Sequence, residues 1–339
     1  MNTSLSSPDA IPHAAAHLLR SGELVAFPTE TVYGLGADAR SDAAVQKIYA
    51  AKGRPSGNPI IVHIANIAHA QQCAAAAWPD VAERLAQQFW PGPLTLIVPR
   101  GPSISPLVSA GRSTVALRCP NHPVAQALLK EFAGPIAAPS ANRSGFTSPT
   151  TAQHVLAELA GRIPLILDGG ACQIGLESTV LDVSDPSRRP RILRPGAITA
   201  EMLEKVLGPI ESLSTTVATT ESAESPGQHS RHYAPRTPAY RFPRSDFYAA
   251  KEWAQSHTPT VLLTYSEEIF LPAPHETLQL PCDPAAYARA LYAALRDTDE
   301  KCPAAILILE PETTTGLWQA INDRLRRATL PLTPQNPAG

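Results

Sequence analysis

The sequence predicts two α/β domains joined by a polar connection. Short apolar runs with the composition of strands alternate with segments of helical periodicity in both halves of the 339-residue chain. Between these halves, residues 209–238 contain few large apolar side chains and many Ser, Thr and Pro, which is typical of a linker. We therefore expect a first domain over residues 11–208, a linker over 209–238 and a smaller second domain over 239–330.

The first domain opens with an apolar strand, ELVAF, followed by the polar stretch PTETVYGLG. We interpret that stretch as a loop in which Gly34 and Gly36 let the chain turn tightly. A helix follows over SDAAVQKIYAAKG, with Ser41 as its N-cap and Gly53 as its stop. The further predicted strands are PIIVHIA, PLTLIVPR, STVALRCP, PIAAPSAN, IPLILDGG, ESTVLDVS and the run that ends in RILRPG. The further predicted helices are DVAERLAQQFWPG, HPVAQALLKEF, TAQHVLAELAG and TAEMLEKVLG.

The second domain repeats this alternation on a smaller scale. Its predicted strands are TVLLTY, LQLP and AAILILE, and its predicted helices are SDFYAAKEWAQS, DPAAYARALYAALRD and GLWQAINDRLRRA. In the second of these helices Ala288, Leu291, Tyr292 and Leu295 fall on one face, which is the face we expect to be buried.

Composition argues against several classes of protein. The net charge of −2 argues against a broadly basic nucleic-acid binder, and only 6 of the 28 cationic residues are Lys, so local positive charge comes mainly from Arg. Five cysteines lie far apart without a C-x-x-C, so neither a disulfide framework nor a zinc site is predicted. Signal-peptide features and membrane-length apolar runs are missing from the sequence, so we expect a cytoplasmic protein with no membrane association.

Two stretches carry side chains suited to an anionic ligand. In KGRPSGNPIIVHI, Lys52 and Arg54 flank a glycine and suit a triphosphate, although cations are also favoured at a helix C-terminus. His63 in the same stretch is, by itself, better explained as a hydrogen-bonded, half-buried strand histidine, and a ligand role requires that Arg54 and Asn58 line the same pocket. Thr114 and Arg118 lie four apart on a strand and share a face, and this Arg needs a carboxylate from a ligand or from a structural salt bridge.

The segment APSANRSGFTSPT is a hydroxyl- and amide-rich loop after a strand, a common position for ligands in α/β proteins. It carries Ser140, Asn142 and Ser148; the alternative is an ordinary turn before a helix capped by Thr151. The sequence contains no P-loop, no Rossmann G-x-G-x-x-G, no H-E-x-x-H, no G-x-S-x-G and no RNP-like aromatic strand. Nucleotide binding would therefore use another scheme.

Together these motifs resemble the threonylcarbamoyl-AMP synthase family, the YrdC-like proteins. The resemblance depends on PTETVYGLG, KGRPSGNPIIVH, PGPLTLIV, STVALRCP, APSANRSG with ESTV, and ILRPG, in the family's order. SPGQHSRHYAP and the second domain resemble the long, two-domain form, with Gln228 where that form usually has Met. The resemblance implies a twisted open sheet with helices and a concave basic face, followed by a smaller Rossmann-like α/β domain.

The resemblance also implies a reaction. An L-threonylcarbamoyladenylate synthase, a nucleotidyltransferase, converts L-threonine, bicarbonate or CO2, and ATP into threonylcarbamoyl-AMP and pyrophosphate. ATP is then a substrate accompanied by Mg2+, with no dedicated protein metal site. A downstream tRNA threonylcarbamoyl-transferase complex would modify the adenosine beside the anticodon in certain tRNAs. Direct tRNA binding and its absence are both compatible with the sequence.

Residue roles follow from the positions that match the family's motifs. Positions that match L-threonine contacts are Thr31, His63, Arg118, Ala138 (through its backbone) and Ser178. Positions that match ATP contacts are Arg54, Asn58, Thr114, Ser140, Ser148 and Arg194, with Lys52 and Asn142 expected to face the phosphates. Lys52 and Arg54 form the expected catalytic pair, and His232 and Tyr233 match the segment that closes over the site. We expect no protein nucleophile, because the carboxylate of N-carboxy-threonine attacks the α-phosphate.

Two other interpretations compete with this one. A non-catalytic RNA-binding module is disfavoured by the slightly acidic pI of about 6.6 and by the missing stacking aromatics. A carbamoyl-adenylate-forming domain of a hydrogenase maturation factor would bring zinc-finger-like cysteines and an acylphosphatase-like segment, and the sequence contains neither.

Overall fold

The chain folds into two compact units. A computed structural model describes residues 3–6, 12–75, 78–212 and 232–333. The first unit takes residues 1–144 and 148–229, and the second takes 145–147 and 230–339. Most of the predicted linker, including SPGQHSR at 225–231, lies outside the described residues, so the predicted domain limits stay a prediction. No helix among the described residues is long and apolar enough to cross a membrane.

The first unit is built on one mixed sheet. Within the described residues its strands are β1 (Ser4–Ser6), β2 (Val25–Phe27), β3 (Gly34–Asp38), β4 (Ile61–His63), β5 (Leu94–Pro99), β6 (Thr114–Arg118), β7 (Ile136–Ala137), β8 (Leu165–Leu167), β9 (Thr179–Asp182), β10 (Arg191–Arg194) and β11 (Glu211–Ser212). Their order across the sheet is β1-β8-β2-β3-β7-β4-β6-β5-β9-β10-β11. The helices are α1 (Pro12–Arg20), α2 (Asp42–Lys52), α3 (Ile67–Cys73), α4 (Asp80–Phe89), α5 (Pro123–Phe132), α6 (Ala152–Leu159) and α7 (Ala200–Leu207).

Successive side chains along the central strands point to opposite faces of the sheet. One face packs into the main core, and the other face carries polar groups. On β6, Val115 and Leu117 join the main apolar core, whereas Thr114 and Arg118 point to the opposite side of the sheet. That opposite side has its own buried apolar strip, formed by Ile61, Ile97, Ala116, Val180 and Leu193. We call the side of β4, β5, β6, β9 and β10 that carries these five residues the strip face. Polar residues that alternate in phase with the strip therefore share its surface.

The predicted ends of two helices are confirmed. Ser41 accepts a hydrogen bond from the Ala44 amide at 3.3 Å, and Gly53 ends α2 with a left-handed φ of 61°. Thr151 caps α6 in the same way, through the His154 amide at 3.2 Å. The left-handed Gly53 releases the chain from α2 into the loop that carries the predicted phosphate ligands.

The prediction that Gly34 and Gly36 form a tight turn is wrong. Both lie in β3, which pairs antiparallel with β2. A Cβ built on Gly36 would lie 2.9 Å from the Phe27 ring and 2.9 Å from Ile136. Glycine is required at this position because neighbouring side chains pack directly over the strand backbone.

We expect Gly36→Ala to lower the free energy of unfolding by about 1–3 kcal/mol, because the added methyl group overpacks this contact. Gly57→Ala is the matched control: a Cβ there meets no heavy atom within 4 Å. Its expected change is within about 0.5 kcal/mol. Urea denaturation of both variants beside the wild type measures the difference. Equal stability of the two variants would show that β3 tolerates a side chain at this point.

The second unit contains a parallel sheet flanked by helices. Within the described residues its strands are β12 (Ala239–Phe242), β13 (Thr260–Thr264), β14 (Glu276–Gln279), β15 (Ala305–Leu309) and β16 (Leu330–Pro331), in the order β14-β13-β15-β12-β16. Its helices are α8 (Phe247–Gln255), α9 (Pro284–Glu300) and α10 (Leu317–Ala328). The apolar face predicted for α9 is confirmed, since Ala288, Leu291, Tyr292 and Leu295 are all buried.

Residues 145–147 belong to the second unit through their contacts. The Ala234 amide donates to the Gly145 carbonyl at 3.0 Å, and the Thr147 hydroxyl donates to the Tyr233 carbonyl at 3.1 Å. Arg296 of α9 donates to the Thr147 carbonyl. A three-residue segment that the sequence analysis assigned to the first domain is therefore anchored in the second unit.

Candidate active site

Strand pairing brings two of the predicted threonine ligands side by side on the strip face. β4 runs parallel to β6 with His63 opposite Arg118. Both side chains are buried, and Arg118 Nη2 lies 2.8 Å from Glu30 Oε1. The sequence left open whether Arg118 meets a ligand carboxylate or a protein carboxylate; in this structure Glu30 is its partner. The Ala138 amide donates to the Ile61 carbonyl at 2.9 Å, which places a third predicted threonine residue next to the same strand.

The ion pair leaves buried polar atoms without a hydrogen-bond partner among the described residues. These atoms are both carboxylate oxygens of Glu30, Nε and Nη2 of Arg118, and Nδ1 of His63. The 2.8 Å charge contact is close, but its angle does not make a hydrogen bond. Buried groups of this kind nearly always have partners in folded proteins. Their concentration at one point of the strip face therefore marks a candidate ligand site.

His63 is a neutral imidazole. Burial, followed by the positive charge of Arg118, lowers the pKa of His63 to about 3. The ring packs edge-on against Phe27, with 5.8 Å between the centroids. At neutral pH His63 can therefore exchange hydrogen bonds with a ligand but contributes no charge.

We expect His63 to make the folded state less stable as the pH falls below about 6.5. The unfolded chain takes up a proton on this histidine there, whereas the folded chain does not until the pKa of about 3. Between pH 7.5 and 5 the wild type should lose about 2 kcal/mol more stability than His63→Gln. Urea denaturation of both proteins at the two pH values measures this. Equal pH dependence of the two proteins would show that His63 takes up its proton over the same pH range in the folded and the unfolded chain.

The remaining polar groups of PTETVYGLG are held by contacts within the protein. The Thr29 hydroxyl lies 2.8 Å from the Thr31 hydroxyl and donates to the Val32 carbonyl at 2.6 Å. The Tyr33 hydroxyl donates to the Gly170 carbonyl at 2.8 Å, and burial raises the pKa of Tyr33. Tyr33, whose role the sequence left open, thus anchors this stretch to the loop after β8.

Lys52 is buried and holds the loop after β7. Its ammonium group donates to the Ser140 carbonyl at 2.5 Å and to the Asn142 carbonyl. The Ser140 hydroxyl in turn donates to Asn142 Oδ1 at 2.5 Å. Burial, followed by the charge of Arg54, lowers the pKa of Lys52 well below its usual range. Lys52 and Asn142, which were predicted to face the phosphates, are therefore joined in one network with Ser140, a predicted ATP contact.

The loop between α2 and β4 carries two further predicted ATP contacts, Arg54 and Asn58. Arg54 Nη2 donates to the Pro59 carbonyl at 2.9 Å, and the Asn58 carbonyl accepts from the Tyr49 hydroxyl at 3.2 Å. Arg54 and Asn58 are both buried. Thr114 is half-buried at the start of β6, on the strip face.

A third network surrounds Ser178, just before β9. The Ser178 hydroxyl lies 2.7 Å from the Thr95 hydroxyl and accepts from Arg194 Nη2 at 3.1 Å. The Ser148 hydroxyl donates to Glu177 Oε1 at 2.5 Å. Predicted threonine and ATP positions thus meet here, together with Thr95 and Glu177, which the sequence analysis did not select.

Glu30 is the most consequential residue that the sequence analysis left without a role. One signal was available, since an arginine in an apolar strand requires a carboxylate. The sequence did not identify which carboxylate, because the answer depends on the position of the loop after β2 relative to β6.

His232 and Tyr233 lie in the second unit. Tyr233 is 1% exposed, its ring stacks on Tyr292 at 5.8 Å between centroids, and the Arg324 guanidinium lies 5.3 Å from its centroid. The His232 amide donates to the Arg327 carbonyl at 3.0 Å. Both residues are therefore packed against helices of their own unit, and their closing function stays a proposal.

The described residues contain no group of three or more His, Cys, Asp or Glu side chains placed to hold a metal ion.

Comparison with known proteins covers both units. The family described as telomere recombination matches residues 17–196, and the family described as threonylcarbamoyl-AMP synthase, C-terminal domain, matches residues 198–329. A curated relative named threonylcarbamoyl-AMP synthase from Bacillus subtilis is 45% identical over 334 residues, which cover 96% of this chain and 94% of the relative. Its namesake from Pyrococcus abyssi is 40% identical over 324 residues, which cover 93% of each chain.

Solved structures agree with the sequence families. The crystal structure of P. abyssi Sua5 complexed with L-threonine matches with a TM-score of 0.88 and 38% identity, covering 98% of this chain and 100% of that chain. A P. abyssi Sua5 variant with adjacent histidine and tyrosine replaced by alanine matches with a TM-score of 0.87 and 37% identity, covering 96% of each chain. On the strength of matches that extend over nearly its whole length, the chain belongs to the threonylcarbamoyl-AMP synthase family.

Proposed function

We propose that the chain converts L-threonine, bicarbonate or CO2, and ATP into threonylcarbamoyl-AMP and pyrophosphate, as a nucleotidyltransferase. The observation that carries this proposal is Arg118, a buried guanidinium on the strip face whose Nε and Nη2 lack hydrogen-bond partners among the described residues. A guanidinium is suited to a carboxylate, and a related protein has been crystallised with L-threonine. The relatives' names support this enzyme and lend no support to a non-catalytic RNA-binding module.

In this proposal the amino acid lies on the strip face. Arg118 receives the threonine carboxylate, and the neutral His63 with the Thr31 hydroxyl orients the polar groups of the substrate. The backbone of Ala138 and the hydroxyl of Ser178 complete the contacts. Each of these residues is held by strand pairing or by a hydrogen bond to a neighbour, so the site is preorganised for its ligand.

ATP occupies the neighbouring networks. Arg54 and Arg194 supply positive charge to the phosphates, and Lys52 acts by holding the loop that presents Ser140 and Asn142. The remaining ATP contacts in the proposal are Asn58, Thr114 and Ser148.

The reaction then needs no nucleophile from the protein. An oxygen of the N-carboxylate (carbamate) group of N-carboxy-threonine bonds to the α-phosphorus of ATP, and the bond from that phosphorus to the oxygen bridging to the β-phosphate breaks, which releases pyrophosphate. The protein contributes alignment and neutralisation of phosphate charge. ATP is expected to arrive with Mg2+, which would supply further neutralisation of the phosphate charge.

The product is a mixed anhydride that water hydrolyses. We therefore propose that residues 209–238, with His232 and Tyr233, close over the site and exclude water. Residues 213–231 of this segment lie outside the described residues. The product would pass in the cytoplasm to a tRNA threonylcarbamoyl-transferase complex.

Pyrophosphate release tests the function. The full chain with ATP, Mg2+, L-threonine and bicarbonate should release pyrophosphate, and omission of L-threonine or bicarbonate should abolish the release. Release without L-threonine would refute the amino-acid substrate. Absence of release with all components present, together with tRNA binding in a gel-shift assay, would favour the RNA-binding module instead.

A further inference from the structure

Glu30 is a buried carboxylate that the predicted threonine and ATP contacts leave out. It lies in the loop between β2 and β3, is 3% exposed, and approaches Arg118 at the end of β6 with a charge contact of 2.8 Å. Neither of its oxygens has a hydrogen-bond partner among the described residues. A saturated carboxylate–guanidinium pair shares two parallel hydrogen bonds. Glu30 and Arg118 are therefore close to each other, but they do not satisfy each other's hydrogen-bonding groups.

A pair of this kind is a poor structural element. Removing two charges from water is offset only when the geometry is good and the remaining lone pairs and N–H groups are hydrogen-bonded. Here Nε and Nη2 of Arg118 and both oxygens of Glu30 are left over. Apolar side chains of the same volume would pack the site at least as well. The presence of these two buried charges therefore points to a ligand.

The groups around the pair leave its charges uncompensated. Burial and the nearby Arg118 lower the pKa of His63 to about 3, and burial lowers the pKa of His122. Burial raises the pKa of the Cys119 thiol to about 11 and that of the Cys172 thiol to about 12. At neutral pH these four neighbours carry no charge, so a ligand meets one cation and one anion.

An α-amino acid is the complement of this arrangement. Its carboxylate and its ammonium group are separated by a single carbon atom, and each needs an opposite charge when it leaves water. Arg118 offers N–H donors, and Glu30 offers acceptor oxygens.

We propose that Glu30 receives the α-ammonium group of the amino-acid substrate while Arg118 receives its carboxylate. Glu30 is thereby the residue that selects an α-amino acid over other carboxylic acids. Before the substrate binds, Glu30 offsets the charge of Arg118 and holds its side chain in place. This inference depends on the proposed function, because it names a substrate contact of that same site.

The test compares two ligands that differ in the ammonium group. L-Threonine and (R)-3-hydroxybutyrate have the same carbon chain, hydroxyl and carboxylate, but only L-threonine carries the amine. Ligand-observed NMR titrations of the full wild-type chain and of Glu30→Gln give both dissociation constants. In Glu30→Gln the dissociation constant for L-threonine should rise at least about 10-fold, because a charge-assisted contact is lost. The constant for (R)-3-hydroxybutyrate should stay equal or fall, because Arg118 no longer has a competing carboxylate.

Two further variants control the experiment. Glu30→Asp keeps the charge on a shorter side chain and should recover part of the preference for L-threonine; it also supplies the comparison if Glu30→Gln does not fold. Asp38→Asn removes another acid of the first unit that pairs with an arginine, Arg40 at 2.8 Å, and should leave both constants unchanged. Thermal melts followed by circular dichroism establish that each variant is folded, and ATP binding should be the same in all.

The outcomes separate this inference from the proposed function. If the wild type does not bind L-threonine, the proposed function fails and the inference fails with it. If the wild type binds L-threonine and Glu30→Gln binds it equally well, only the inference is overturned. An equal loss of affinity for both ligands would also overturn it, since that result indicates a structural role through Arg118 alone.

Discussion

Replacing Lys52 by methionine should lower both the turnover and the stability of the ligand-free protein. Methionine keeps the volume but donates no hydrogen bonds, so the Ser140 and Asn142 carbonyls lose their donor. Unsatisfied buried carbonyls should lower the free energy of unfolding by about 2–4 kcal/mol. A shift of the loop by about 1 Å should reduce pyrophosphate release roughly 100-fold. Urea denaturation and a pyrophosphate assay measure the two effects.

The sign of the stability change distinguishes two roles for Lys52. If Lys52 served only as a phosphate ligand, loss of a buried cation beside Arg54 would leave the ligand-free protein equally stable or more stable. Lys47→Met is the matched control, because Lys47 lies on the same helix and its ion pair with Glu23, at 2.7 Å, is exposed. Its effect should stay within about 0.5 kcal/mol, with normal turnover.

Replacing Arg118 by methionine should have the second large effect. The substitution removes the proposed carboxylate contact and leaves Glu30 as a buried charge without its partner. We expect the free energy of unfolding to fall by about 3–5 kcal/mol. L-Threonine-dependent pyrophosphate release should fall at least roughly 100-fold. The same two measurements apply.

A double variant separates the stability effect from the catalytic effect. Glu30→Gln combined with Arg118→Met removes both charges and should recover part of the lost stability, because no unpaired buried charge remains. Its pyrophosphate release should stay as low as that of Arg118→Met. Recovery of release in the double variant would contradict the role of Arg118 as a carboxylate ligand. Stability of Arg118→Met equal to that of the wild type would show that Glu30 finds another partner.

The packing of the second unit limits which variants can test whether residues 209–238 close over the site. Tyr233 is almost fully buried against Tyr292, and its carbonyl accepts from Thr147. A deletion that includes Tyr233 would open the core of its own unit, as the loss of a buried aromatic ring does in general. Point substitution of His232 is therefore the cleaner probe of closure.

The sequence by itself determined the α/β class, the family and the reaction proposed here. These conclusions depend on features that are local in the chain: apolar runs of strand length, the Ser41 and Thr151 caps, the Gly53 stop, and short motifs in a fixed order. Local patterns suffice because helix caps and the spacing of apolar side chains along a strand are features of neighbouring residues. The comparisons confirm the family that the motifs indicated.

Only the tertiary structure decided which groups meet. From the sequence, Gly36 was predicted to lie in a turn. In the structure it lies in β3, where the side chains of Phe27 and Ile136 pack so close to its backbone that they leave no room for a Cβ. The sequence predicts that Lys52 faces the phosphates, and only the structure shows that its ammonium group also binds two carbonyls of another loop. The sequence required a carboxylate for Arg118 without identifying Glu30. Partner choice of this kind depends on the order and register of strands from β2 to β6, and those pairings join segments that are distant in the chain.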